Sequence, residues 1–263
     1  MSDQERAAAA AKRLFDEHRT GERCSALPPD LRPRNLDEAH AIQDCLQRLN
    51  EAHGLGPLAG WKVALTTPVM QRLAGIDHPC AGGIHERYVY RSPVTLAAAD
   101  YVRIGVEAEI AVRLSADLAG SGHTRASVAG AVAALMPAIE IVDDRGVDYD
   151  ALDGLALVAD NSFNFGVVLG PETAYRPGLD LPAVSGRMSI NGEVVGEGTG
   201  DTVMGHPFEA LAWLAGGLEA RGRGLLAGQI VMTGSIVATK WPAAGDEVVV
   251  DVDGMGEARL RLE

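Results

Sequence analysis

The stretch VEAEIAVRL, residues 106–114, combines the alternation of a β-strand with two glutamates in otherwise apolar surroundings. Successive side chains of a strand point to opposite faces, so Val106, Ala108 and Ile110 share one face. Glu107 and Glu109 share the other face, roughly 6–7 Å apart. Two carboxylates at that distance repel each other unless water screens them or a cation lies between them. The stretch therefore predicts either a solvated outer face or a cation site.

A third carboxylate occurs in MPAIEIVDD, residues 136–144, where Glu140 lies between Ile139 and Ile141. A carboxylate among apolar neighbours needs a partner, or a shift of its pKa leaves it neutral. One interpretation is an ion pair with an arginine such as Arg145. The other is a third oxygen ligand, in which case the cation is Mg²⁺ or Mn²⁺. Zinc would be expected to recruit histidine or cysteine, and neither strand contains a histidine.

Helical patterns dominate the first part of the chain, and strand patterns dominate the rest. Residues 7–20 are rich in helix formers and stop at Gly21, and Asn35 begins a second helix with a capping-box pattern. From about residue 58, apolar runs bounded by glycine, proline or aspartate predict strands. Asn191-Gly192 predicts a hairpin, and further helices are predicted over 124–136 and 206–222. The fold class predicted from this order is α+β.

Composition excludes several classes of partner. The 263 residues carry a net charge of −13, which argues against nucleic acid and anionic membranes as partners. The three cysteines form no C-x-x-C pair, which predicts reduced thiols. The charged, alanine-rich N-terminal stretch lacks the apolar run of a secretory signal, and no segment approaches about 18 uninterrupted apolar residues. We therefore predict a cytoplasmic protein.

Lys62 and Asp77 are candidates for chemistry around the carboxylates. Lys62 interrupts the apolar run GWKVALT, residues 60–66. Its ammonium either extends to water or, if it is buried near carboxylates, donates a proton or binds a substrate carboxylate. Asp77 taken alone is typical of a turn.

Several polar residues at strand or helix ends could contact a ligand or simply form turns. A glycine followed by serine at a strand end permits close approach of the backbone to an anion. No G-x-S-x-G, Walker or H-E-x-x-H motif occurs. The candidate substrate contacts are Ser162, His206, Thr233, Gly234 and Ser235.

These segments together resemble the fumarylacetoacetate hydrolase superfamily, and within it the branch of 2-keto-4-pentenoate hydratases and 4-oxalocrotonate decarboxylases. The match runs in family order over about residues 58–257. The E-x-E pattern alone is weak evidence for the family. The order E-x-E, then I-E-I-V-D-D-R, then T-G-S is specific for it. The matching text is GWKVALT, VEAEIAVRL, PAIEIVDDR, VADNSFNFGVVLG, VMGHPFEALAWLA, GQIVMTGSI and AAGDEVVVDVDGMG.

The resemblance implies a mixed β-roll with a helical N-terminal portion. Residues 1–80 would form a mostly helical subdomain, and residues 81–263 the metal-binding β-roll catalytic domain. It also implies homo-oligomers and small 2-oxo or 2-hydroxydienoic acid substrates from aromatic catabolism. The implied metal ligands for Mg²⁺ or Mn²⁺ are Glu107, Glu109 and Glu140, and the implied catalytic residues are Lys62 and Asp77, the aspartate positioning the lysine.

The activity expected from the resemblance is that of a metal-dependent lyase, a hydratase for 2-hydroxypenta-2,4-dienoate or a close analogue. Decarboxylation of a 4-oxalocrotonate-type acid is the next alternative. A third is C–C hydrolysis of an acylpyruvate, for which His85 and Glu86 would supply a His–Glu pair, although an exposed loop pair explains them as well. A fourth is a non-catalytic subunit that stabilises a companion lyase. A hydratase of this kind could also pair with another lyase or aldolase of its pathway.

Overall fold

A computed structural model describes the whole chain, Met1–Glu263. The α-helices are α1 (Asp3–Thr20), α2 (Leu36–Asn50), α3 (Pro68–Leu73), α4 (Arg125–Ala129), α5 (Gly154–Ala159) and α6 (Pro207–Glu219). The strands are β1 (Leu58–Ala64), β2 (Cys80–His85), β3 (Val89–Arg91), β4 (Val94–Leu96), β5 (Ile104–Leu114), β6 (Val132–Asp143), β7 (Asn164–Leu169), β8 (Thr173–Ala174), β9 (Ser185–Ile190), β10 (Glu193–Thr199), β11 (Ile230–Lys240), β12 (Glu247–Val252) and β13 (Gly256–Leu262).

The first long helix ends, and the second begins, where local sequence signals predict, whereas α1 starts earlier than the predicted stretch, at Asp3, and α2 ends at Asn50. α1 ends at Gly21, which adopts the left-handed conformation (φ 65°). The Asn35 side chain accepts a hydrogen bond from the Glu38 amide and caps α2. The Glu38 carboxylate accepts from the Arg34 amide rather than from Asn35, so the cap of α2 lacks the second half of a capping box.

The strands form two sheets. The larger sheet has eight strands in the order β2-β1-β11-β5-β6-β7-β3, with β8 paired to β6. The smaller sheet has the order β10-β9-β12-β13-β4. β2 also packs against β7, so the larger sheet curls onto itself. Helices precede a strand-rich body, and the predicted α+β class is confirmed.

The two faces of β5 have different surroundings. Val106, Ala108 and Ile110 belong to the main core together with Val250 and Leu260 of the smaller sheet. The opposite face of β5 is enclosed by the curl of the larger sheet. Because Glu109 is fully buried and Glu107 is only partly exposed, the solvated-face interpretation of the E-x-E pattern is wrong.

The predicted helix over residues 124–136 is wrong in its second half. α4 ends at Ala129, and β6 begins at Val132. Alanine-rich sequence favours a helix locally, but β6 pairs with β5 along its length and is buried on both faces. The predicted hairpin at Asn191-Gly192 is confirmed, with both residues at positive φ between β9 and β10.

β1 lies inside the larger sheet, paired with β11 and β2. The predicted domain boundary at residue 80 therefore does not coincide with an edge of that sheet, although the boundary itself stays a prediction. The three cysteines are unpaired. None of the helices combines a bilayer-spanning length with sufficient apolarity.

Candidate active site

Three carboxylates converge on the enclosed face of the larger sheet. Glu107 and Glu109 project from the same face of β5, and Glu140 of β6 pairs directly opposite Glu107 in the antiparallel register. One oxygen of each carboxylate lies within 4.8 Å of the other two. The strand alternation that places two acids on one face thus brings all three together across neighbouring strands.

Each carboxylate is fixed through one oxygen. Thr239 donates to Glu107 Oε1, and the Gly234 amide donates to Glu109 Oε2 at 2.8 Å. The other oxygen of Glu109 and Oε2 of Glu140 are buried and have no hydrogen-bond partner. Buried polar atoms are almost always satisfied, so two unpartnered carboxylate oxygens in one cluster fit an oxygen-coordinated divalent cation.

The electrostatics of the carboxylate cluster also favour a divalent cation. Burial raises the pKa of the Glu107 and Glu109 carboxyls, and the neighbouring Glu140 carboxylate raises both further. The Lys62 ammonium lies 3.1 Å from Glu140 Oε1. Three carboxylates and one ammonium leave two net negative charges, which a divalent cation would neutralise.

Lys62 reaches the carboxylates from β1. Its side chain is buried, and its register partners are Gly82 of β2 and Met232 of β11. Burial alone would lower the pKa of Lys62, but the Glu140 and Glu107 carboxylates outweigh burial and hold it above its ordinary value. Lys62 is therefore a fixed cation beside the cluster.

The segment before β7 lies in a strained backbone conformation. Asn161, Ser162 and Phe163 all have positive φ, between 51° and 57°. The Asn161 amide group holds this segment against β2 by exchanging hydrogen bonds with the backbone of Gly83 at 2.7 and 2.8 Å. A Cβ on Gly82 would lie 2.3 Å from the Asn161 carbonyl oxygen, so this close approach requires glycine. Strain of this kind is typical of functional sites.

The T-G-S stretch forms a bulge in β11. The pairing of β11 with β5 shifts register between Met232 and Ser235, which turns the Gly234 amide toward Glu109. Thr233 is fully buried and donates to the Ile110 carbonyl. Ser235 lines a cavity beside the cluster, whereas Thr233 and Gly234 do not line it.

Replacement of Gly234 by alanine is expected to weaken metal binding roughly tenfold, because a clash of the added Cβ would displace the backbone amide that orients Glu109. Gly234 has φ 122°, and an added Cβ would lie 2.5 Å from the Thr66 methyl carbon. The control is Gly245→Ala, at φ 94° with open space around it, which tests positive φ without the clash. Calorimetric titration with Mn²⁺ measures the affinity. Equal affinities of the two variants would contradict a role for the Gly234 amide.

The cavity beside the carboxylates has a volume of about 420 Å³. Lys62 and Glu107 line it, as do Ser162 and Ser235. Much of the remaining wall is apolar. A small acid that enters this cavity meets the ammonium and the exposed edge of the carboxylate cluster.

The structure does not bring Asp77 or His206 to this site. Asp77 is exposed after α3, and Lys62 forms its ion pair with Glu140 instead. The predicted positioning of Lys62 by Asp77 is therefore absent from the structure. His206 caps α6, since its Nδ1 accepts from the Phe208 amide at 2.9 Å, and it does not line the cavity.

Two further predictions disagree with the structure: the ion pair of Glu140 with an arginine, and the His–Glu pair. Arg145 pairs with Asp160 at 2.8 Å, so the arginine interpretation of Glu140 is wrong. His85 is 1% exposed and bonded to the Gly56 carbonyl, whereas Glu86 is exposed. Neither lines the cavity, so the structure does not supply the pair that acylpyruvate hydrolysis was predicted to use.

Two contacts of the cluster were not predicted. Asn164 donates to Glu140 Oε1 at 3.1 Å, and Thr239 donates to Glu107. A signal for Asn164 exists, because a polar residue between Phe163 and Phe165 in a strand is as unusual as a glutamate between two isoleucines. No feature of the sequence around Thr239 distinguishes it from an ordinary strand threonine.

The chain matches one protein family and several named relatives over most of its length. The family model for Fumarylacetoacetate (FAA) hydrolase C-terminal matches residues 86–263. The chain is 33% identical to the 2-hydroxyhexa-2,4-dienoate hydratase of Comamonas testosteroni, over 100% of this chain and 99% of the relative. It is 32% identical to the 2-keto-4-pentenoate hydratase of Burkholderia vietnamiensis, over 98% of each.

A solved structure shares the whole fold. It is a 4-oxalocrotonate decarboxylase from Pseudomonas putida G7, complexed with magnesium and adipate. The superposition gives a TM-score of 0.93 at 28% sequence identity and covers 100% of this chain and 99% of that chain.

Proposed function

The chain belongs to the fumarylacetoacetate hydrolase family, as its motifs indicated, and on this premise we propose that it is a metal-dependent hydro-lyase. Its proposed substrate is 2-hydroxypenta-2,4-dienoate or a close analogue, because full-length relatives are named as hydratases of such acids. The observation that carries the proposal is the buried cluster of three carboxylates with unpartnered oxygens beside a buried lysine.

The proposed reaction adds one water molecule to the dienoate in two steps. The enol at C2 loses its proton and becomes a ketone while C5 gains a proton, which leaves a double bond between C3 and C4. Water then adds its oxygen to C4 and a proton to C3. The product is 4-hydroxy-2-oxopentanoate.

Glu107, Glu109 and Glu140 would hold the metal, for which Mg²⁺ or Mn²⁺ is proposed from the all-oxygen ligand set. The bound cation supplies a Lewis acid for the negative charge that develops on the 2-oxygen of the substrate. The Gly234 amide and Asn164 hold the carboxylates in place. A fixed set of ligands does not reorganise during the reaction.

Lys62 is proposed to bind the C1 carboxylate of the substrate. It is the only cationic side chain that lines the cavity. Because the pKa of Lys62 is held above its ordinary value, the side chain carries its charge at neutral pH. Ser162 and Ser235 line the same cavity and stay the predicted substrate contacts.

Decarboxylation is the second candidate, favoured by the likeness to the solved decarboxylase across the whole chain. Loss of a distal carboxylate as CO₂ would send electrons toward the same 2-oxygen. Homo-oligomeric assembly, a partner lyase or aldolase, a role in aromatic catabolism and a cytoplasmic location stay predictions from the sequence and its resemblance.

The purified full-length chain tests the proposal with 2-hydroxypenta-2,4-dienoate and 4-oxalocrotonate, each with Mg²⁺, Mn²⁺ or EDTA. We expect NMR to show 4-hydroxy-2-oxopentanoate from the dienoate, and no product with EDTA. Release of CO₂ from 4-oxalocrotonate without dienoate hydration would identify a decarboxylase. Metal binding without turnover of either acid would indicate a non-catalytic subunit.

A further inference from the structure

The strained segment Asn161–Phe163 contributes to the wall of the active-site cavity. Ser162 and Phe163 line that cavity, whereas Asn161 lines a smaller cavity of about 140 Å³. Left-handed backbone is unfavourable for serine and phenylalanine, so contacts from outside the segment must hold it in this conformation.

The Ser162 hydroxyl is bonded to the protein. Its Oγ donates to the Ala81 carbonyl at 3.1 Å, and the other protein atom bonded to this oxygen is Cys80 Sγ at 3.4 Å. A hydroxyl has one hydrogen and two lone pairs, so with its hydrogen committed Ser162 can act toward a ligand only as an acceptor. The hydroxyl of the dienol and the water that adds to it are both donors. The position of Ser162 therefore matters for the proposed hydration.

Gln47 of α2 contacts the strained segment through Asn161. The Gln47 side chain is buried, and its Nε2 donates to Asn161 Oδ1 at 3.0 Å. The same oxygen accepts from the Gly83 amide at 2.7 Å. Two donors that converge on one oxygen fix the Asn161 side chain, and with it the backbone that carries Ser162.

Gln43 lies one turn before Gln47 on the same face of α2. It is fully buried, and its Nε2 donates to the Ala81 carbonyl at 2.7 Å and to the Val158 carbonyl at 2.9 Å. The Ala81 carbonyl is also the acceptor of the Ser162 hydroxyl. Gln43 thus fixes the group that orients Ser162.

Two arginines that follow α6 set the orientation of both glutamine amides. Arg223 Nη1 donates to Gln47 Oε1 at 3.2 Å, and Arg221 Nη1 donates to Gln43 Oε1 at 3.3 Å. Asp44 accepts from Arg223 at 2.8 Å and from Arg221 at 2.5 Å. A guanidinium can only donate, so each amide oxygen faces its arginine, which leaves each NH₂ group to donate in the other direction.

We propose that Gln47 and Gln43 are positioning residues for the hydration, and that α2 acts through them to hold Ser162 against the substrate. The inference rests on the proposed function, because it assumes that the substrate binds in the cavity that Ser162 lines. α1 and α2 contribute no residue to that cavity. The proposal therefore gives α2 a role in the reaction although none of its side chains touches the substrate.

The test replaces Gln47 in the full-length chain, assayed with Mn²⁺ and 2-hydroxypenta-2,4-dienoate. Gln47→Met removes the donor to Asn161 and is expected to lower kcat/KM roughly tenfold, mainly through kcat, because a displaced Ser162 orients the reactants less well. The affinity for Mn²⁺ is expected to stay unchanged, since the contacts of Glu140 are untouched.

Gln47→Glu separates positioning from folding. Glutamate keeps the size of the side chain and its contact with Arg223, but a carboxylate paired with a guanidinium has no hydrogen to donate to Asn161. We expect this variant to lose as much kcat/KM as Gln47→Met. The control is Gln229→Met, which removes a half-buried glutamine that donates to the Leu58 carbonyl outside the cavity, and which should leave kcat/KM unchanged.

A double substitution tests whether Gln47 acts through Ser162. Ser162→Ala alone is expected to lower kcat/KM roughly tenfold, and addition of Gln47→Met is expected to cause less than about a twofold further loss. Losses that multiply, wild-type kcat/KM in Gln47→Glu, or a loss of Mn²⁺ affinity in parallel with activity would overturn this inference alone. Failure of the wild-type chain to hydrate the dienoate would overturn the proposed function.

Discussion

Replacement of Glu109 by glutamine is expected to weaken Mn²⁺ binding about 100-fold or more and to lower hydration of the dienoate roughly 10³-fold. Glu109 is fully buried, with one oxygen bonded to the Gly234 amide and the other unpartnered. Glutamine has the same shape and can still accept from Gly234. Its amide nitrogen would occupy the position of an oxygen, and an amide NH₂ does not ligate a hard cation.

This substitution should not unfold the metal-free protein. A buried carboxylate that is repelled by two others is replaced by a neutral group, so the metal-free variant is expected to melt at the wild-type temperature or above. The control is Glu193→Gln, an exposed acid on β10. Calorimetric titration with Mn²⁺, thermal melts and dienoate assays give the three readouts. Wild-type turnover by Glu109→Gln without bound metal would refute the metal-dependent mechanism.

Replacement of Lys62 by methionine is expected to have the opposite effect on metal binding. Loss of the ammonium leaves three carboxylates without a compensating cation, so the affinity for Mn²⁺ is retained or increased. Hydration is expected to fall roughly 10²–10³-fold, because the C1 carboxylate loses its cationic partner. The metal-free variant is expected to lose about 3–5 kcal/mol of stability, since Glu140 is left buried without its ion pair.

The chain contains only three lysines, which provides a matched control for this variant. Lys240, at the end of β11, forms no ion pair, and Lys240→Met should leave affinity, turnover and melting unchanged. Assays are run at saturating Mn²⁺ so that the stability loss of metal-free Lys62→Met does not limit turnover. If Lys62→Met loses its metal as Glu109→Gln does, then Lys62 supports the metal site rather than the substrate.

Local patterns predicted the elements whose signals are contained in a few neighbouring residues. The cap at Asn35, the stop at Gly21 and the hairpin at Asn191-Gly192 depend on backbone chemistry within one turn, and all three are present in the structure. The alternation around Glu107 and Glu109 is an equally local signal. The period of a strand fixes which side chains share a face, so the sequence alone places both carboxylates on one face.

Local patterns failed where pairing between distant segments decides the outcome. Residues 132–136 have a helical sequence pattern, but they belong to β6, which pairs there with β5 on one side and with β8 on the other. His85 was predicted to lie in a loop, yet it is buried at the end of β2, where its Nδ1 bonds to the Gly56 carbonyl. Asp77 was expected beside Lys62, but the order of the strands places Glu140 there instead.

The sequence by itself determined which side chains carry charge into apolar strands, and hence that Glu107, Glu109 and Glu140 require either a partner or a cation. Only the tertiary structure decided that the three carboxylates meet and that Lys62 compensates one of them. The physical reason is that strand period is a local property of the chain, whereas the neighbours of a strand are not. The order β2-β1-β11-β5-β6-β7 joins segments far apart in sequence, and packing of the whole sheet selects it.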